Sequence, residues 1–174
     1  PHIIDHSLQC LDTPVADIQS YLHHVTAGGD CEDHLRIRFT GSNNRVVNMS
    51  ISGATALRHG RYFEVYGDRG ALYAENNKFM VRYIDPEQTV PEIVSSRETP
   101  GAAFGASGTY ESDFKINWIL EEFEIEPDNL QVFWDHLYDT LVNGATFPIT
   151  DDDIFGIMRT ISTVKTQNKK IMRP

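Results

Sequence analysis

HLRIRFTGSNNRVVNMSI, residues His34 to Ile51, is the stretch that decides the fold. Leu35, Ile37 and Phe39 alternate with His34, Arg36, Arg38 and Thr40, the two-residue period of a strand with one face buried and one wet. Gly41-Ser42-Asn43-Asn44 supplies turn residues, and Val47, Met49 and Ile51 resume the alternation. Two such runs joined by so short a turn form an antiparallel hairpin. Upstream, Val15 to Val25 is rich in β-formers and is broken by Gly28-Gly29-Asp30. Downstream, a second meander follows: Tyr62 to Tyr66, a Gly67-Asp68-Arg69-Gly70 turn, Ala71 to Glu75, and a further strand marked by Phe79, Val81 and Tyr83. Ile116 to Ile125 also reads as extended, with Ile119, Phe123 and Ile125 on one side and carboxylates on the other.

Helices flank these strands. His2 to Leu11 places Ile4, Leu8 and Leu11 at i, i+4 and i+7, one face of a helix, and Asp12-Thr13-Pro14 ends it. Near the other end, Asp128 is positioned to cap a helix carrying Leu130, Phe133, Trp134, Leu137 and Leu141, closed by Asn143-Gly144. Trp118 and Trp134 are expected in the core. Thr150 and Asp153 then make a capping box with Asp in place of Glu, ahead of Ile154, Ile157, Met158, Ile161 and Val164. Residues 86–113 differ from all of this. Pro86, Pro91 and Pro100 with Gly101, Gly105 and Gly108 leave no periodicity, which predicts a long functional loop. One helix, about seven strands in hairpins and two closing helices give an α+β class: a mainly antiparallel open sheet with helices packed on one face.

Charge narrows the function. The 174 residues carry a net charge of −10, which disfavours a nucleic-acid backbone and an anionic membrane surface as partners. No apolar run is long enough to span a bilayer. The only basic cluster, Lys165, Lys169, Lys170 and Arg173, complements the negative end of the last helix. Cys10 and Cys31 have neither metal nor redox spacing, so a reducing, cytoplasmic setting is expected. The chain opens on Pro1 and goes straight into a helix, as a piece of a longer protein would.

Candidate chemistry concentrates in His2-Ile3-Ile4-Asp5-His6. On a helix, His2, Asp5 and His6 are i, i+3 and i+4 neighbours on one face. Three readings stay open. His2 can act as a general acid and base near neutrality with Asp5 orienting its ring. His2 and His6, one turn apart, can be two metal ligands. Or the segment is an ordinary solvated helix start. Arg58 and His59, before a strand, and Tyr110, in the long loop, are candidate substrate contacts; each has a solvated-loop reading beside it. Asp151-Asp152-Asp153 resembles a cation site but suits the first turn of a helix equally. No Gly-rich dinucleotide fingerprint, phosphate loop or nucleophile elbow occurs, so no self-sufficient dinucleotide enzyme is encoded in these residues.

Several separated segments resemble one family in its own order. His2-x-x-Asp5 is similar to the G-x-H-x-x-D segment of Gfo/Idh/MocA-type oxidoreductases, the group of inositol dehydrogenase and glucose–fructose oxidoreductase. LQCLDTPV, from Leu8 to Val15, resembles the helix, Pro-containing link and strand that follow it. FEVYGDRGAL, from Phe63 to Leu72, resembles a V-x-G-T-x-G-S-L turn, with Asp68 replacing a small hydroxyl residue. Phe133 to Gly144 and Phe147-Pro148-Ile149-Thr150 resemble the late helix and the P-V-T start of the final one. The resemblance implies a single substrate-binding and oligomerisation domain over residues 1–174, of the glyceraldehyde-3-phosphate-dehydrogenase C-terminal type. It implies that the nucleotide-binding domain lies outside this chain and holds NAD or NADP, with no cofactor-binding residue here. His2 then matches the histidine that moves the substrate hydroxyl proton, with Asp5 beside it. Beside these, His6, Arg58, His59 and Tyr110 stand as candidate substrate-binding residues on the residues' own reading. The implied partners are a sugar- or polyol-like small molecule and a second or fourth copy, through the open sheet face. A non-catalytic ligand-binding or assembly module is the alternative.

Overall fold

The computed structural model describes residues 1–26, 31–54, 61–90, 115–127 and 129–169. The chain divides into two compact units, Pro1–Arg58 with Asn129–Pro174, and His59–Asp128. The α+β class and the antiparallel pairing are as the sequence predicts. Among the described residues, the seven strands separate, however, into sheets of three and four.

In the first unit, α1 (His2–Leu11) precedes β1 (Val15–His23), β2 (His34–Gly41) and β3 (Val46–Ser52), paired in the order β1-β2-β3. The register opposes Ile18 to Phe39 and Phe39 to Val47, then Ser20 to Ile37 and Ile37 to Met49. Those inward residues meet Ile4 and Leu11 of α1 and Val164 of the last helix. Phe39 and Leu11 are fully enclosed. Asp12 ends α1 in the left-handed region at φ 49°, and its backbone N–H donates to the Leu8 carbonyl. The opposite face of this sheet is polar. Gln19, Arg38 and Asn48 make one row across it and Tyr21, Arg36 and Ser50 the next, so it needs no cover.

Two helices complete the unit. The α3 helix (Asp151–Gln167) starts with the predicted box: Asp153 N–H donates to Thr150 Oγ1 at 3.2 Å, and Thr150 N–H to Asp153 Oδ2 at 2.8 Å. At its other end, Asn168 reaches the outer edge of β1. Its Oδ1 accepts from Leu22 N–H at 3.1 Å, while Nδ2 donates to Ser20 Oγ at 3.0 Å and to the Val164 carbonyl at 2.9 Å. An edge strand with free backbone groups invites wrong pairing, and here a side-chain amide occupies it. Asn168→Ala leaves the buried Leu22 N–H without a partner and should lower unfolding stability by about 1–3 kcal/mol, read by urea denaturation.

The α2 helix (Leu130–Asn143) corrects two expectations. Its N-cap is Asn129, whose side chain accepts from Gln131 N–H at 3.0 Å; Asp128 lies outside the described residues. Nor does α2 contribute to the core: Trp134 is 58% exposed and no residue of the helix is buried. Phe133 packs edge-on to Trp134 and to Phe147 instead. The 3.6-residue pattern marked the apolar stripe correctly, but a stripe does not say whether a partner surface lies within reach.

In the second unit, β4 (Arg61–Tyr66), β5 (Gly70–Glu75), β6 (Lys78–Ile84) and β7 (Trp118–Glu124) form an antiparallel meander. Gly70 is required where it stands, because a Cβ there would sit 2.5 Å from the Arg82 carbonyl oxygen and 2.8 Å from Tyr83 Cα. Phe63, Ala74, Phe79 and Phe123 align in one row across this sheet, and Val65, Leu72, Val81 and Glu121 in the next. The carboxylates of β7 therefore do not share one face. Glu121 lies on the apolar side, where it accepts from Tyr83 Oη at 3.2 Å, while Glu122 and Glu124 flank Lys78 at 3.6 and 3.0 Å on the other. Trp118, expected in the core, is 43% exposed and lies under the Arg82 guanidinium, 4.7 Å from the ring centre.

Candidate functional site

The α1 helix sets out its first turn by simple geometry. Residues advance about 100° each, so Ile4, Ser7 and Leu11, which are buried, point to one side. His2 and His6 point to the other and are exposed, while Asp5 between them is half-buried. Pro1 stands at the N-cap, where a missing N–H costs nothing, and its carbonyl accepts from Asp5 N–H at 3.0 Å. Asp5 lies in the first turn, at the positive end of the helix, where a carboxylate is favoured. Ser7 donates back to the Ile3 carbonyl at 2.7 Å and leaves the outer face undisturbed.

His2, Asp5 and His6 therefore do share a face, turned away from the core. No hydrogen bond joins the His2 ring to the Asp5 carboxylate. The face offers two imidazoles and an acid to whatever docks on it. Arg58, His59 and Tyr110 lie outside the described residues. Among the described residues, no three His, Cys, Asp or Glu side chains gather where a metal ion could be held. Of the Asp151-Asp152-Asp153 run, Asp153 is committed to the helix cap, and its hydrogen bonds with Thr150 hold its pKa below the usual value.

Two further features escaped the sequence. One is a pocket of about 310 Å³ on the core side of α1, lined by Pro1 and Ile4 but by none of His2, Asp5 and His6. Alternation of apolar residues on a strand says which side chains point inward, not whether they fill the space between them. The other is a clamp beside it. Asp33 accepts from Thr26 Oγ1 and from the backbone N–H groups of Val25 and Thr26, each of the latter at 2.8 Å, with His24 Nδ1 at 3.9 Å. The Thr26 hydroxyl, then the Val25 N–H, draw its pKa down from 3.8 to about 2. A carboxyl whose folded pKa is depressed stabilises above its unfolded pKa and loses that contribution as pH falls through the folded one. The clamp should thus hold at neutral pH and weaken only between about 3.8 and about 2. A carboxyl-carbon NMR titration checks this, and Thr26→Val should move the midpoint up toward 3.8.

Solved structures share this fold. An oxidoreductase from Acidithiobacillus ferrooxidans, UDP-N-acetylglucosamine 3-dehydrogenase, aligns with 99% of this chain and 48% of its own at TM-score 0.66 and 14% identity. A protein from Bacteroides fragilis provisionally named an oxidoreductase aligns with 97% of this chain and 47% of its own, at TM-score 0.64 and 15% identity. A third, from Desulfitobacterium hafniense and provisionally named an NADPH-dependent oxidoreductase, covers 97% of this chain and 44% of its own, at TM-score 0.54 and 13% identity. The chain thus spans about half the length of the solved proteins it matches. No protein-family model and no curated protein matches it in sequence.

Proposed function

We propose that this chain is the substrate-binding domain of an NAD(P)-dependent oxidoreductase of the Gfo/Idh/MocA type, acting on a hydroxyl of a sugar, polyol or related small molecule. The observation that carries the reading is the first turn of α1. His2 and Asp5 are turned outward from a helix whose other face is anchored in the core, at the start of a fold shared with oxidoreductases about twice as long. In this reading a nucleotide-binding domain outside the chain holds NAD or NADP, which supplies the hydride acceptor. His2 takes the hydroxyl proton as hydride leaves the carbon, and returns it in the reverse direction. Asp5 orients the ring. His6, with Arg58, His59 and Tyr110, holds the substrate. The isolated chain is inactive.

The apolar face of the second sheet, with Phe63, Phe79 and Phe123 in one row, is where a homodimer or homotetramer would form. That face also supports the second reading, an assembly module without catalysis. Calorimetric titration of NAD and NADP separates the two. The 174-residue chain should bind neither, and a protein extended upstream through a nucleotide-binding domain should bind one of them. Failure of both proteins to bind either nucleotide would end the oxidoreductase reading in favour of the assembly module.

A further inference from the structure

The pocket of about 310 Å³ in the first unit opens from the core to solvent. Ile4, Leu22, Ile37 and Val164, all members of the buried core, form its floor. Leu35, Ile51 and Ile161 form the walls. Protein interiors are packed as densely as organic crystals, so a hollow of this size forfeits dispersion contacts along its whole lining. Water is a poor substitute along the aliphatic part of the lining, which offers it no hydrogen-bond partner. An engineered apolar cavity of about 150 Å³ accepts one benzene ring, and this pocket has about twice that room, enough for roughly a dozen non-hydrogen atoms.

The rim decides the other end of the ligand. The polar part of the lining is Lys165 with Glu32, Asp33 and His34, next to Pro1, so a cation and two carboxylates share the pocket. A fatty carboxylate would gain Lys165 and meet two like charges, and an alkyl amine would meet the reverse conflict. A neutral hydroxyl or amide avoids both, donating to a carboxylate and accepting from the ammonium. We propose that this pocket binds a neutral amphiphile of roughly ten to twelve non-hydrogen atoms, its aliphatic part on the Ile4, Leu22 and Val164 floor and its hydroxyl or amide at the rim. The site is separate from the His2 face and does not depend on the hydride-transfer reading.

1-Nonanol is the probe, titrated into the 174-residue protein with methyl NMR as the readout. The methyls of Ile4, Leu22, Ile37, Ile51, Ile161 and Val164 should shift saturably, with a submillimolar Kd. Nonanoate and nonylamine should bind at least five-fold more weakly. Ile161→Phe, which fills the wall, should weaken nonanol at least ten-fold while the circular-dichroism spectrum stays unchanged. If that variant does not fold, Ile51→Phe, at a half-exposed wall position, makes the same test. Absence of saturable shifts in the native protein, shifts confined to other methyls, or unaltered binding by the filled variant would each overturn the site. Equal binding of all three probes would overturn the neutral-ligand assignment.

Discussion

His2→Ala, made in a protein that joins this chain to the nucleotide-binding domain proposed for it, should lower kcat by about 10²- to 10⁴-fold, the range that a positioned acid–base group contributes. The fold should not change, because His2 is exposed and makes no hydrogen bond that the core depends on. Thermal unfolding of the variant should therefore superimpose on that of the parent. A proton-transfer role also predicts where the loss falls. It should appear in kcat, and nucleotide affinity should be unaltered. Asp5→Asn should lower kcat less, since in the proposed reading the carboxylate acts only through the ring. His6→Ala should raise KM and leave kcat close to the parent value. An undiminished rate in His2→Ala would remove His2 from the mechanism. Loss of both His2 and His6 variants together with release of a bound metal ion would favour the two-ligand reading of this turn.

What was legible in the sequence follows from how local each signal is. The α1 boundaries, the box at Thr150 and Asp153, and the β2–β3 hairpin depend on neighbours within a few residues, and all formed as the pattern predicts. The shared face of His2, Asp5 and His6 was legible for the same reason, since helical spacing alone fixes it. Three features were not local. The split into two sheets depends on which strands find each other across the chain. The carboxylates of β7, expected opposite Ile119 and Phe123, are divided by the strand register, which puts Glu121 with Val81 and Tyr83 on the apolar side. The hollow under α1 depends on side-chain volumes summed over two helices and three strands, which no periodicity records.

The same distinction sets up the last expected result, a comparison of Phe39→Ala with Trp134→Ala. On sequence alone the tryptophan ranks higher, as the larger residue on a clear helical stripe. The structure reverses the order. Phe39 is fully enclosed in the centre of β2, with Ile18 and Val47 opposite it and Leu11 in the same core cluster. Truncating it removes the transfer free energy of a phenyl ring and leaves a cavity that three strands and a helix cannot all close, at about 3–5 kcal/mol. Trp134 is 58% exposed on α2, so its loss should change stability by about 0.5 kcal/mol or less. Urea unfolding of both variants, followed by circular dichroism so that neither tryptophan is the reporter, gives the two numbers directly. A Trp134→Ala cost approaching that of Phe39→Ala would mean that the α2 stripe is buried in solution against another surface. The concentration dependence of the transition would then say whether that surface belongs to a second copy, because only an intermolecular contact makes the midpoint rise with protein concentration.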